Sequence, residues 1–560
     1  MKLRNIQQTV SILGIVALLS VSSAASAGGR LSERAKEVLA NRPLDMVELI
    51  VTYRQAPGPN DRASVVNNGG HIRHEFKLIK GHAITVPAQA AKALENNPNV
   101  ERVSNDEPVD VMATKPAKSL PSPILTAFPG LEQSPYTGAG IGVAVIDSGM
   151  RSHPDKKPTI SMAFGYSKTD DKYGHGNHVA GIIAGTGDHS QGPYRGVAPN
   201  ADIISLRVLD ENGQGLTSDV IAALDWIHAN ANENGDQVPI HVVNLSLGHP
   251  VVEAAENDPL VQAVETLWKN DGIVVVCSAG NAGRDGYGTV TSPGNSSLVI
   301  TVGSVTHWGD DDPMNDMVST YSSRGPTRID RFVKPDLVTP GNRMISLKAK
   351  DSYLHKNHPE REIVAPGKST AEYLQLSGTS MSAAVVSGAV ALMLEQDPTL
   401  TPDTVKARLM RSTRKVDFAD VFATGAGMLD IDAALNESGY ASNASSPRVF
   451  RDDATGRLGF ENTNVLWGGD EWALGYLWSD GYLWSDGYLW SDAYLWSDGY
   501  LWSDGYLWSD GYLWSDGYLW SDGYLWSDGY LWSDGYLWSD GYLWSDDTLT
   551  SDATAALVDD

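Results

Sequence analysis

Four short stretches place an acid, a base, a hydroxyl and a neutral amide where chemistry could use them. Asp147 ends the apolar run Val143-Ala144-Val145-Ile146, in Asp147-Ser148-Gly149. His175 stands in Gly174-His175-Gly176-Asn177-His178, which opens a helical pattern. Asn281 closes Ser278-Ala279-Gly280-Asn281, and Ser380 lies in Gly378-Thr379-Ser380-Met381-Ser382, ahead of a strongly apolar helix. Each has a plainer reading. Asp147, Thr379 or Ser380 could cap a helix, and Asn281 could serve a turn. His175 and His178 could be a metal pair, although no HExxH motif and no obvious third ligand accompany them. Singly, Asp147 and Asn281 favour the plain reading. Together the four supply a nucleophile, its base, a group to orient that base and a donor for an oxyanion, the inventory of acyl transfer.

These residues need a scaffold that brings them to one edge. Ile141 to Ile146, Asp202 to Val208, His241 to Leu245 and Ile273 to Val276 are short apolar runs suited to parallel strands buried on both faces. Helical patterns over His178 to Ala184, Ser218 to Ala229 and Pro259 to Asn270 fall between them. The alternation predicts a doubly wound α/β domain over residues 124–440, with working groups at the carboxyl ends of its strands.

Ahead of it, residues 28–112 read as a small α+β unit of βαββαβ order, the ferredoxin-like arrangement. Its strands are Val47 to Tyr53, Ile72 to Leu78, Gly81 to Val86 and Val100 to Val103; its helices lie near Asp61 to Asn67 and over Ala88 to Glu95. Residues 113–123 follow as an exposed, cleavable linker rich in proline.

At this point the chain resembles the subtilisin-type serine proteases, the subtilases. Val143 to Gly149 matches the family's aspartate motif. His175-Gly176-Asn177-His178-Val179-Ala180-Gly181 matches its histidine motif, with Asn177 where the family has Thr. Gly378-Thr379-Ser380-Met381-Ser382-Ala383-Ala384 matches its serine motif, with Ala384 where the family has Pro. That change loosens a preset helix start but removes no catalytic atom. Secondary matches are Gly196 to Pro199, Tyr321 to Pro326 and Lys334 to Leu337, and the resemblance covers residues 47–440.

The resemblance implies a three-layer domain with a mostly parallel sheet, and peptide-bond hydrolysis through an acyl-enzyme. Ser380 would attack, His175 would take its proton, Asp147 would orient the imidazole, and Asn281 with the Ser380 N–H would hold the oxyanion. His178 would be structural. Protein or peptide substrate would add as a strand between Gly213-Gln214-Gly215 and Ser246-Leu247-Gly248, with Ser278-Ala279-Gly280 walling the pocket before the cut. No charged residue stands in those segments, so the preference leans apolar; Asp210 and Glu211 could favour basic residues further upstream. No cofactor is required for the chemistry. Calcium is a structural ion the family allows, with only Asp188 offering a carboxylate in the stretch Gly185 to Arg195. Residues 28–112 become an inhibitory propeptide, a partner made by the chain itself. Asp106 to Met112 would thread the cleft, and self-cleavage would fall between Met112 and Pro121.

Composition bounds the rest. The formal charge of −27 over 560 residues argues against nucleic acid as a partner. Lys2 and Arg4, the apolar stretch Val10 to Val21 and Ala25-Ser26-Ala27 form a secretory leader over residues 1–27, which implies secretion. Cys277, the single cysteine, excludes an internal disulfide and reads as a buried, inert thiol. Residues 441–474 are a polar linker. From Gly475 to Asp546 the hexapeptide Gly-Tyr-Leu-Trp-Ser-Asp runs through twelve copies, with Ala493 replacing one Gly, and 547–560 form an acidic end. A period of six does not keep one helical face. The repeat predicts β structure, either a meander turning at Asp-Gly or a solenoid in which like residues stack. Trp and Tyr ladders could bind cell wall, carbohydrate or a second tail. A surface adhesin with this tail as its working part is the alternative to a secreted protease, and a dibasic-specific processing protease is a third reading that lacks the acidic pocket residues it needs.

Overall fold

The computed structural model describes residues 30–112, 127–231, 238–308, 316–414, 421–451 and 458–461, with the Tyr-Leu pairs at 482–483, 500–501, 518–519 and 536–537. The expected leader, the linker at 113–123, most of the repeat tract and the acidic end lie outside the described residues.

The N-terminal unit begins with α1 (Glu33–Asn41), which stands where the sequence reading assigns no element; Ser32 caps it by accepting from the Ala35 N–H. Then come β1 (Met46–Tyr53), α2 (Pro59–Asn67), β2 (His71–Phe76), β3 (Gly81–Pro87), α3 (Ala88–Ala91, continued as a 3-10 turn to Asn96) and β4 (Val100–Asn105). The strands form one antiparallel sheet ordered β2-β3-β1-β4. Leu49, Val51, Ile84, Val86 and Val103 fill its core. A fifth strand, β5 (Pro108–Val111), leaves this sheet and joins the next domain.

That domain is built on a parallel sheet. Its strands are β6 (Gly142–Asp147), β7 (Ile160–Ala163), β8 (Asp202–Arg207), β10 (Ile240–Leu245), β12 (Val274–Ser278), β13 (Ile300–Thr306) and β15 (Leu337–Pro340), with the antiparallel edge piece β14 (Met317–Val318) on β13. The spatial order β7-β8-β6-β10-β12-β13 means that the chain works outward from β6 in one direction and then in the other. Such a reversal opens a crevice at the carboxyl ends of the strands on either side of it. Every residue of β6, β12 and β13 is buried, which explains the apolar runs of the first two.

Helices cover both faces: α4 (His175–Ala184), α5 (Thr217–Asn230), α6 (Pro259–Thr266, with a π turn to Asp271), α8 (Thr379–Gln396), α9 (Pro402–Arg411), α10 (Val421–Thr424) and α11 (Ile431–Asn436). Two short strands, β9 (Gln214–Leu216) and β11 (Leu247–Gly248), line the crevice. A second sheet absent from the sequence reading, antiparallel β16 (Met344–Leu347), β18 (Ala371–Leu376) and β17 (Glu362–Val364), packs on α4 and carries α7 (Tyr353–Asn357) in the excursion between β16 and β17. No described helix is long and apolar enough to cross a membrane.

The packed chain does not stop at residue 440. Ala444 is buried, Ser446 N–H donates to Ser297 O, and β19 (Arg448–Arg451) pairs with β20 (Leu458–Glu461). The fastening is ionic. Lys334 and Lys406 both reach the Asp336 carboxylate, at 2.7 and 3.1 Å, and Ser446 Oγ donates to it at 2.6 Å. All three charged groups are fully buried. Burial pushes Lys406 down to about 7, whereas Asp336 stays below its usual range because the two ammonium groups outweigh its own burial. The polar composition of 441–451 reads as linker because its polar atoms are spent on the domain rather than on water.

Candidate active site

Asp147 is the last residue of β6 and His175 the first of α4. They meet because α4 starts almost against the strand end: a Cβ at Gly176 would lie 2.1 Å from the Gly149 carbonyl oxygen, so only glycine fits there. His175 Nδ1 donates to both Asp147 oxygens at 2.9 Å, in a pair with no exposed side-chain surface. That bond fixes the imidazole tautomer and leaves Nε2 as an acceptor, buried and without a hydrogen-bond partner.

Ser380 sits in the first turn of α8. Its Oγ is 2.7 Å from the Met112 carbonyl oxygen and 3.1 Å from that of Ser246, and its N–H donates to the same Met112 oxygen at 3.4 Å. The hydrogen-bond partners of the hydroxyl are these two carbonyls, and His175 Nε2 is not among them. Asn281 Oδ1 accepts from the Thr379 N–H and hydroxyl at 3.1 and 3.2 Å, which fixes the amide and leaves Nδ2 buried without a partner. His175 Nε2 and Asn281 Nδ2 are thus two buried polar atoms with no hydrogen-bond partner. Thr379, which sequence reasoning treats only as a cap, is the residue that orients Asn281.

The crevice is filled. β5 lies antiparallel between β11 and β9, pairing Val111 with Leu247, Asp110 with Gly248 and Gln214, and Val109 with Gly215. Val111 N–H donates to Gly213 O and Met112 N–H to Ser246 O. The segments Gly213-Gln214-Gly215 and Ser246-Leu247-Gly248 thus flank β5 on its two sides. Ser278 and Ala279 are buried, and Gly280 O accepts from Thr379 Oγ1. The Met112 Cε is 3.2 Å from where a Gly248 Cβ would stand, and Thr291 Oγ1 is 3.1 Å from that point, so Thr291 shares this pocket. Asp210 closes its own turn by accepting from the Asn212 and Gln214 N–H groups.

A model of the subtilase family matches residues 138–427. The chain belongs to the subtilase family. It is 38% identical over 305 residues to the serine protease AprX of Bacillus subtilis (strain 168), a match covering 53% of this chain and 67% of that one. Against subtilisin E of the same strain it is 32% identical over 376 residues, covering 66% of this chain and 84% of the relative. Among solved structures, that of fervidolysin from Fervidobacterium pennivorans, a keratinolytic enzyme related to subtilisin, aligns with a TM-score of 0.56 at 23% identity. The alignment covers 71% of this chain and 62% of that one, and at this identity it speaks for the fold alone.

In this subtilase the carboxylate at the end of β6 has a buried neighbour. Ser148 Oγ lies 3.1 Å from Asp147 Oδ1 and 2.8 Å from Asp171 Oδ1, and Asp171 accepts from the Gly174 and Asn177 N–H groups at 2.6 and 2.9 Å. Asp171 therefore holds the start of the helix that bears His175. An acid just ahead of that helix was the signal in the sequence. His178 is buried and bonded through Nε2 to the Met344 and Leu374 carbonyls, tying α4 to the antiparallel sheet; burial pushes it down to about 3. Burial pushes the Cys277 thiol up to about 12, the state of an inert side chain. Among the described residues no group of three or more His, Cys, Asp or Glu side chains is arranged to hold a metal.

Burial, followed by the effect of Asp147, pushes Asp171 up to about 6 against its backbone hydrogen bonds. The folded protein then binds this proton more tightly than the unfolded chain, whose carboxyl titrates near 3.8. Asp171 ionised is a cost above pH 6 that fades as pH falls toward 4. In a Ser380→Ala background, the parent chain should gain about 1–3 kcal/mol relative to Asp171→Asn between pH 7 and pH 4, read from urea midpoints. Parallel curves for the two chains would contradict this.

Proposed function

We propose that the chain is a secreted serine endopeptidase made as a zymogen that cuts itself once. The observation carrying this reading is the Met112 carbonyl, lying 2.7 Å from Ser380 Oγ in a chain held as an added strand. For reaction the hydroxyl proton turns from the carbonyls to His175 Nε2 as Oγ bonds to the Met112 carbon. Negative charge then develops on the Met112 oxygen, where the Ser380 N–H and Asn281 Nδ2 can receive it. Asp147 steadies the imidazolium, which returns the proton to the departing Ala113 nitrogen. Water later opens the ester, leaving a carboxyl at Met112. Ser246 supports the machinery without joining it: its Oγ donates to Ser380 O and accepts from Asn244 Nδ2.

Residues 30–112 serve as the inhibitory propeptide. Asp106 Oδ1 accepts from the Ser218 N–H at 2.9 Å and Glu107 O from the Thr217 N–H, so the unit satisfies the start of α5. Arg73 pairs with Asp106, His74 with Asp219 at 2.9 Å and Arg102 with Glu253 at 2.6 Å. Asp225 accepts from the Lys77 and Leu78 N–H groups. The seated residue is Met112, so substrates with an unbranched apolar residue before the cut are the class that fits.

Of the two β readings of the repeat, the four described Tyr-Leu pairs favour the stacked one over the meander. Supporting this, Tyr482-Leu483, Tyr500-Leu501, Tyr518-Leu519 and Tyr536-Leu537 pair in parallel, each with the pair eighteen residues on. Hairpins would pair them antiparallel. Hydrogen exchange on the full chain should find the Tyr-Leu amides of the tract slowed; exchange at the unprotected rate throughout would rule out the coil.

Expression of Ser380→Ala beside the parent tests the enzyme directly. The parent should appear as two fragments divided after Met112 and the variant as one uncut chain. Equal processing of both would overturn self-cleavage.

A further inference from the structure

The excursion between β16 and β17 returns to the residues just ahead of His175. Tyr353 N–H donates to Lys172 O at 2.8 Å and Leu354 N–H to Tyr173 O at 2.9 Å, so the start of α7 is bonded to that backbone like a short added strand. The approach is close: a Cβ at Gly174 would lie 2.6 Å from Ser352 Oγ and 3.2 Å from Leu354 Cβ. The Tyr353 ring then stacks on the Tyr173 ring, with centroids 5.8 Å apart and planes 15° from parallel. Tyr353 is 41% exposed, so its ring is not held there by burial in a core.

Tyr173 also faces the crevice. Gly213, at φ +82, has no Cβ; one placed there would lie 3.1 Å from the Tyr173 ring atoms Cε1 and Cζ and 3.2 Å from Val111 Cγ2. The ring and the Val111 side chain therefore both border a glycine whose missing side chain leaves room for them. Val111 is the residue next upstream of Met112, and its N–H is tied to Gly213 O. Its depth is set by the strand pairing, so a larger side chain there must displace the ring.

We propose that Tyr173, braced by Tyr353, sets the preference for the residue two positions before the cut, favouring compact branched aliphatic side chains over bulky aromatic ones. The proposal rests on the protease reading above. The Tyr353 ring keeps Tyr173 from swinging away, and without it the wall can yield. Tyr353 acts through Tyr173, whose ring centroid also lies 6.5 Å from that of His175, so the ratio between two substrates, and not the rate on either alone, carries the effect. Discrimination by packing of this kind spans about 10–200-fold.

The test is kcat/KM for two peptides that differ only at that position, Val or Phe, each with Met next to the cut. The parent should favour Val by about tenfold or more. Tyr353→Ala should bring the two within about threefold, chiefly by improving the Phe peptide, while the Val peptide keeps most of its kcat. Tyr353→Phe, which retains the stack, should keep the parental ratio, and Tyr353→Leu guards against lost folding by keeping an apolar cover while relaxing the ratio. An unchanged ratio in Tyr353→Ala or Tyr353→Leu would overturn the proposal. Hydrolysis of neither peptide by the parent would instead strike the protease reading on which it rests.

Discussion

A single strand, β5, crosses the open edge of the molecule and is hydrogen-bonded on both sides. It brings an internal backbone carbonyl to Ser380 with no side chain needed to recognise it, because strand addition reads main chain. The N-terminal unit leads directly into that strand. Its own sheet packs as a separate core, while Asp106 and Glu107 at its exit are spent on the unsatisfied N–H groups at the start of α5. The same residues thus end one domain and complete the other.

The parallel sheet supplies the second constraint. Asn244 registers with Val145 on one side and Val276 on the other, so the residues beyond these strands emerge at one edge. Asp147, Ser246 and Ser278 follow from that register. The strand interiors are too buried to tolerate such groups unpaired, so polar chemistry collects where the apolar runs end. The first turn of α8 then meets this edge, fixed by Ser246 Oγ on Ser380 O and by Asn244 bonding to Ser387.

Much of this was legible in the chain itself. The apolar runs ending in Asp147, Asn244 and Cys277-Ser278 mark buried strands, and the glycines around His175 and Ser380 mark tight helix starts. Other features depend on contacts between distant segments. Asp171 is marked by its place ahead of a helix, but nothing local shows that Ser148 links it to Asp147, and Tyr353 carries no local sign that its ring lies on Tyr173. The end of the domain was misplaced because 441–451 is polar, and its polarity is absorbed by Lys406, Asp336 and Ser297. α1 had a signal, Ser32 followed by Ala35, Val38 and Leu39, beside a leader that draws attention away from it.

The most direct measurement is the mass of the first N-terminal fragment released during refolding of the full chain, taken before trimming begins. The geometry at Ser380 predicts a fragment whose last residue is Met112, with a partner fragment starting at Ala113. A first cut at any other bond, with Met112 still joined to Ala113, would show that the carbonyl beside Ser380 is not the one attacked.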